Sequence, residues 1–181
     1  MTLQLGSVHP VIRMRLREGA EATSTAASGQ PRRAAGDDLV RFLTGRRGDD
    51  GFVVTPAAFV ESMKAAGVAG ALDAIQRDAA AADPAVHDGL CREAVRLVRA
   101  AGPAPRVAAA VGNAYPALGI EDLGPARVVV TADEPQADPS APVVRGLRAV
   151  LAAIVDRWAE AAAAGTAPVG VVVRTRSAGR S

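Results

Sequence analysis

Few side chains in this sequence could do chemistry by type and spacing. Adjacent carboxylates include Asp37-Asp38, Asp49-Asp50 and Glu121-Asp122. Paired acids can divide the work of general acid and general base. All three pairs sit in loop-like sequence, where neighbouring acids are solvated or cap a helix, so none of them predicts an acid/base site. His9 and His87 are far apart, and neither shows metal-ligand spacing. His87 falls in the first turn of a predicted helix and reads as a surface residue. Cys91 is the single cysteine. It lies beside Leu90, next to an apolar stripe, and reads as buried and inert rather than nucleophilic. One cysteine excludes an internal disulfide framework and a Cys-based zinc site. Ser140 has no G-x-S-x-G context. No Walker A or G-x-G-x-x-G loop is present to cradle a phosphate. Arg13, Arg15 and Arg17 alternate with Ile12, Met14 and Leu16, which puts three guanidiniums on one side of a strand. A phosphate-binding strip is one reading, and a solvated edge-strand face is the expected one. The Arg47-Gly48-Asp49 triplet resembles a cell-adhesion motif, but no secretion signal accompanies it. The residues taken singly show no catalytic set.

The composition bounds the rest. The chain has 181 residues, 49% hydrophobic and 22% charged, a length for one domain with a tail. Its apolar stretches fall far short of the roughly 20 residues of a membrane span. Arg13, Arg15 and Arg17 interrupt the apolar residues near the N-terminus, unlike a secretory leader. The cytoplasm is the expected compartment, with no membrane partner. Alanine supplies 41 residues, against Phe 3, Tyr 1 and Trp 1. Alanine buries little area at roughly 25 cal/mol per Å², so Leu, Ile and Val must do most of the packing. Lys64 is the one lysine among 21 basic residues. The net charge is only +2 and the charges are interspersed, so no nucleic-acid partner is expected.

The elements that must position any site follow from the pattern. Residues 1–37 read as an N-terminal strand and, over 19–37, a linker or mobile loop rich in Ala, Ser, Thr and Gly. A domain is expected over 38–181. Leu39, Val40, Phe42 and Leu43 form an apolar patch, followed by a polar turn from Gly45 to Gly51. Phe52-Val53-Val54 predicts a buried strand. Thr55 as N-cap and Pro56 as first helical residue predict a helix with Phe59, Val60 and Met63 buried, ending at Gly67. A second helix is predicted over 69–82. A third opens at Asp83-Pro84 with Val86, Leu90, Ala94, Leu97 and Val98 on one face, and stops at Gly102-Pro103. A fourth opens at Pro105 and carries Val107, Val111 and Tyr115. Arg127 to Thr131 predicts a strand. Val143 to Ala163 predicts a long helix through Val143, Leu147, Val150, Leu151, Ile154 and Trp158. Val169 to Val173 predicts the last strand. The expected fold class is α/β: a helical subdomain over about 55–118 beside a small mixed sheet, with a long packing helix over about 143–163.

The order of these motifs resembles the N-terminal ATP-grasp domain of phosphoenolpyruvate synthase, pyruvate phosphate dikinase and rifampin phosphotransferase. The family pattern "PxGFVVT…AF" is matched by Gly51-Phe52-Val53-Val54-Thr55 with Phe59. "P…I…AY..L" is matched by Pro105, Ala114-Tyr115 and Leu118. Thr131-Ala132-Asp133-Glu134-Pro135 stands at the "TAEDLP" position. Gly146, Val150-Leu151 and Trp158-Ala159 fit "G…VL.AV..CWASL", and Val171-Val172-Val173-Arg174 fits the "VVVQ.MV" strand. The similarity covers about residues 39–181.

The departures from that family are large. Its early "GGKG" lysine has no counterpart, since no lysine precedes Lys64. The arginine of "VRSS" is replaced within Val128–Val130, with Arg127 beside it. The hinge glutamine is Arg174, and the family's metal-binding acids fall beyond this chain. The resemblance therefore implies a degenerate ATP-binding domain, with weak or no nucleotide binding and no phosphoryl transfer by itself. The alternative is the nucleotide-binding part of a split ATP-dependent phosphotransferase, completed by a partner chain with the remaining domains. The implied cofactor is ATP, with Mg only alongside it. The implied contacts are Val173 and Arg174 in the hinge strand, with Arg127 near the phosphates. No catalytic or metal-binding residue is carried over.

Overall fold

The computed structural model describes residues 38–43, 51–121, 124–132, 141–166 and 170–175. All lie in the second of the two units into which the chain divides, Met1–Arg32 and Arg33–Ser181. The expected strand at 12–16, the linker at 19–37, the turn at 45–50 and the segment 133–140 lie outside the described residues.

The elements in chain order are β1 (Val40–Leu43), β2 (Gly51–Val54), α1 (Pro56–Ala65), α2 (Ala69–Ala81), α3 (Pro84–Ala101) and α4 (Pro105–Ala114). A 3-10 turn (Tyr115–Leu118) then precedes β3 (Ile120–Glu121), β4 (Gly124–Pro125), β5 (Arg127–Ala132), β6 (Val143–Arg145), α5 (Leu147–Ala163) and β7 (Val171–Thr175). Local chemistry sets several boundaries. Asp83 caps α3: its Oδ1 accepts from the N–H groups of Ala85 and Val86 at 3.0 and 3.1 Å. Gly67, at φ +70°, closes α1, where the Gly67 and Val68 amides donate back to the Lys64 and Met63 carbonyls. Gly165 closes α5 in the same way, with Gly165 and Thr166 donating to Ala162 and Ala161.

Thr55 stands at the expected N-cap position, yet its hydroxyl makes no cap bond. It donates instead to the Asp38 carbonyl and ties α1 to the start of β1. The expected helix over 143–163 is two elements. Val143–Arg145 pairs with β5, and Gly146 at φ +86° breaks the backbone before the helix opens at Leu147. Val143 and Leu147, expected on the buried stripe, are exposed, whereas Val150, Ile154 and Trp158 are buried. Val60 and Val86 are likewise exposed.

The main sheet has the order β1-β2-β7-β5-β6, and β3 and β4 form a separate pair. A mixed sheet is the expectation from the sequence, but every hydrogen-bonded pair in it is antiparallel. The reason is topological. The connections β2 to β5, through four helices, and β6 to β7, through α5, each join strands that run parallel. Each skips one position, and the strand that fills the gap runs the other way. The helices pack on one face of this sheet. There Phe52, Val54, Val128, Val130, Val171 and Val173 join Val98, Val107, Val111, Val150, Ile154 and Trp158 in one core.

Among the described residues Ser62 is the small polar side chain buried in that core. Ser62 donates to the Ala58 carbonyl at 2.8 Å and accepts from the Ala104 amide at 3.0 Å. Ala104 is the N-cap residue of α4, and Ser62 of α1 accepts from its backbone amide, the part a capping-box Glu or Gln at N3 would otherwise play. Ser62→Ala leaves that amide unsatisfied in an apolar setting. A loss of about 1–3 kcal/mol is expected in a urea titration, with no change in far-ultraviolet dichroism.

Candidate anion-binding face of the sheet

The strands of the main sheet contain Arg41, Arg127, Arg145 and Arg174 and no acidic residue. Side chains alternate between faces along a strand, and cross-strand partners share a face. The register therefore fixes where each arginine points. Arg127 is opposite Arg145, and Arg174 is opposite both Val129 and Gly51. Arg41 is opposite Val53, which is opposite Val172. All four arginines fall on one face, the one turned away from the helices, and all four are exposed. In the middle of this face Val53 and Val172 are buried. At about 4.8 Å per strand the two edge strands lie roughly 20 Å apart, and Arg41 is also four residues along the sheet from Arg145. Arg127, Arg145 and Arg174 stand on three adjacent strands at one end of the face.

Gly51 helps position Arg174. A Cβ at residue 51 would lie 2.6 Å from the Val173 carbonyl oxygen and 2.9 Å from Cγ of Arg174. The aliphatic part of the arginine thus occupies the space a larger residue would take. Arg127 and Arg145, directly opposed like charges, would repel each other, and each makes a further interaction of its own.

Of the three residues implied by the resemblance, the fold brings Arg127 and Arg174 to one face and sends Val173 to the other. Val173 is fully buried between Phe52 and Val130. A hinge that reads adenine needs free backbone groups, but β7 is bonded to β2 on one side and β5 on the other. Val128 and Val130, where the family has its arginine, point into the core. Among the described residues no group of three His, Cys, Asp or Glu could hold a metal ion, and no helix is long and apolar enough to cross a membrane.

No family model, curated protein or solved structure matches the chain.

Charged pairs on the helices among the described residues are Arg99–Asp156 at 3.0 Å, Arg106–Glu61 at 3.3 Å, Arg157–Glu160 at 2.7 Å and Glu93–Arg96; each has at least one exposed partner and contributes little. The Arg96 hydrogen bond holds the Glu93 carboxyl below its ordinary range.

One contact between side chains escapes a reading of the sequence. His87 and Cys91 lie one turn apart on α3, with Cys91 Sγ 3.3 Å from His87 Nε2. Cys91 is half-buried rather than sealed in the core. Their spacing of four residues is the available signal, because such residues share a helix face. The third member, the Ala79 carbonyl 2.9 Å from His87 Nδ1, comes from α2 and leaves no such trace.

Proposed function

We propose that this chain is a non-catalytic phosphate-binding domain, a degenerate relative of the ATP-grasp type that its motifs resemble. In this reading Arg174 and its neighbours take the phosphates of a nucleotide, and the chain alone transfers no phosphoryl group. The observation that carries the reading is the register that places four arginines and no sheet carboxylate on one face. Guanidinium forks match phosphate oxygens in geometry as well as charge. The balanced net charge of +2 and the short span of the face suit a compact anion better than a long polyanion. Phosphoryl transfer asks for more, namely charge and metal ions arranged around the migrating group. The lysine of the family pattern is missing from this sequence.

Each charge-assisted phosphate contact contributes roughly 1.5–3 kcal/mol, against an association cost of about 4 kcal/mol or more. Three contacts would leave about 0.5–5 kcal/mol after that cost, a dissociation constant on the order of millimolar at best. Calorimetry with ATP and magnesium at low salt is expected to show binding of that order. Arg174→Ala should weaken it by about tenfold, the equivalent of one lost contact. A parallel assay should detect no phosphate release. Affinity unaffected by Arg174→Ala would remove the arginine face as the site. Turnover by the chain alone would overturn the non-catalytic reading, and turnover only with a partner chain would establish the split phosphotransferase.

A further inference from the structure

We infer that Cys91 is a reactive thiol, activated by His87, that exchanges with small disulfides entering the cavity between α2, α3 and the end of α5. The hydrogen-bond partners point to one tautomer of His87. A carbonyl oxygen only accepts, so His87 Nδ1, 2.9 Å from the Ala79 carbonyl, carries the proton. In the neutral ring Nε2 is then the acceptor, and the Cys91 thiol 3.3 Å away is its donor. A nucleophile, a base within reach and a third group orienting the base make up the arrangement by which proteins activate cysteine. Here the orienting group belongs to a different helix, so the pair is assembled by the packing of α2 on α3.

The surroundings narrow the chemistry. Both side chains line a cavity of about 180 Å³ whose other walls are Ile75, Gln76, Leu90 and a set of alanines from α2, α3 and α5. Acyl transfer would need several donors aimed at a developing oxyanion, and beside the His87–Cys91 pair Gln76 is the one polar side chain on these walls. Thiol–disulfide exchange develops charge on sulfur alone and has no such requirement. In the step, the Cys91 proton passes to His87 Nε2 as Sγ attacks one sulfur of the small disulfide. The Cys91–sulfur bond forms, the disulfide bond of the reagent breaks, and its electron pair leaves on the second sulfur. The imidazolium returns the proton to that thiolate. Cys91 ends as a mixed disulfide, and half of the reagent leaves as a free thiol.

The test is the rate of mixed-disulfide formation with cystamine at pH 7, followed by mass spectrometry. It is run on the full chain, on His87→Gln, and on both proteins unfolded in guanidinium. The folded native chain is expected to react roughly tenfold or more faster than folded His87→Gln, a step short of the roughly hundredfold at which fully positioned general bases begin. The two unfolded chains should react equally. His87 is exposed, so the substitution leaves the core intact, and matching dichroism spectra check that it folds. Equal rates for the two folded proteins would overturn the inference, and so would a native rate no greater than that of the unfolded chain.

Discussion

Trp158→Ala is expected to lower the stability of the folded unit by about 3–5 kcal/mol, the usual result of removing a large aromatic from a core. Trp158 is 1% exposed near the middle of α5. It meets Phe59 of α1 edge to face, with ring centroids 5.7 Å apart and an interplanar angle of 76°. Its indole N–H has no hydrogen-bond partner, so packing is what the substitution removes. The void would adjoin an existing cavity of about 220 Å³ lined by Phe59, Met63, Leu72 and Trp158. Collapse around it would be poor, because the neighbouring Ala159 and Ala162 have no rotamers with which to fill space. A calorimetric scan should show the melting temperature fall by about 10 °C, at roughly 2–4 °C per kcal/mol. Trp158→Phe keeps a ring against Phe59 and removes the unpaired N–H, so it should cost much less. An unchanged melt for Trp158→Ala would mean that α1 and α5 do not pack as described.

Tyr115→Phe is expected to cost about 2–4 kcal/mol although it removes a single oxygen. The buried hydroxyl donates to the Ala126 carbonyl at 2.6 Å, just before β5. It also accepts from the Gly146 amide at 2.9 Å, at the break between β6 and α5. Phenylalanine fills the same space but leaves a carbonyl and an amide without partners, at about 1–3 kcal/mol each where no water replaces the hydroxyl. Gly146 sits at φ +86°, a conformation other residues resist. The bond therefore anchors the one backbone position that separates the last helix from the edge strand. Urea titration checks the size of the loss, and amide exchange at Gly146 and the first turn of α5 checks its location. A loss below about 0.5 kcal/mol would show that the hydroxyl bridge contributes no more than an ordinary exposed hydrogen bond.

Much of the element order is legible in the amino-acid sequence alone. Asp83-Pro84 opens α3, Gly67 closes α1, and Gly51–Val54 and Arg127–Ala132 are strands. These signals act within one turn or one extended run, so nearby residues suffice. Val143 marks the limit of such reading. It continues the helical period into Val150 and Ile154, yet it pairs with Val129 in β6. A β-branched residue three positions before a glycine serves either role, and only the presence of β5 beside it chose.

For the candidate sites the division is sharper. The sequence by itself determined that arginine would dominate the positive charge, that two arginines flank apolar strand residues, and that His87 and Cys91 are one helical turn apart. Only the tertiary structure decided that Arg41, Arg127, Arg145 and Arg174 share a face, that Val173 points away from it, and that the Ala79 carbonyl orients His87. The physical reason is the two-residue period of a strand. A shift of one residue in pairing would send each side chain to the other face. That register is set by burying Phe52, Val54, Val130 and Val173 against helices far away in sequence. No local pattern encodes it.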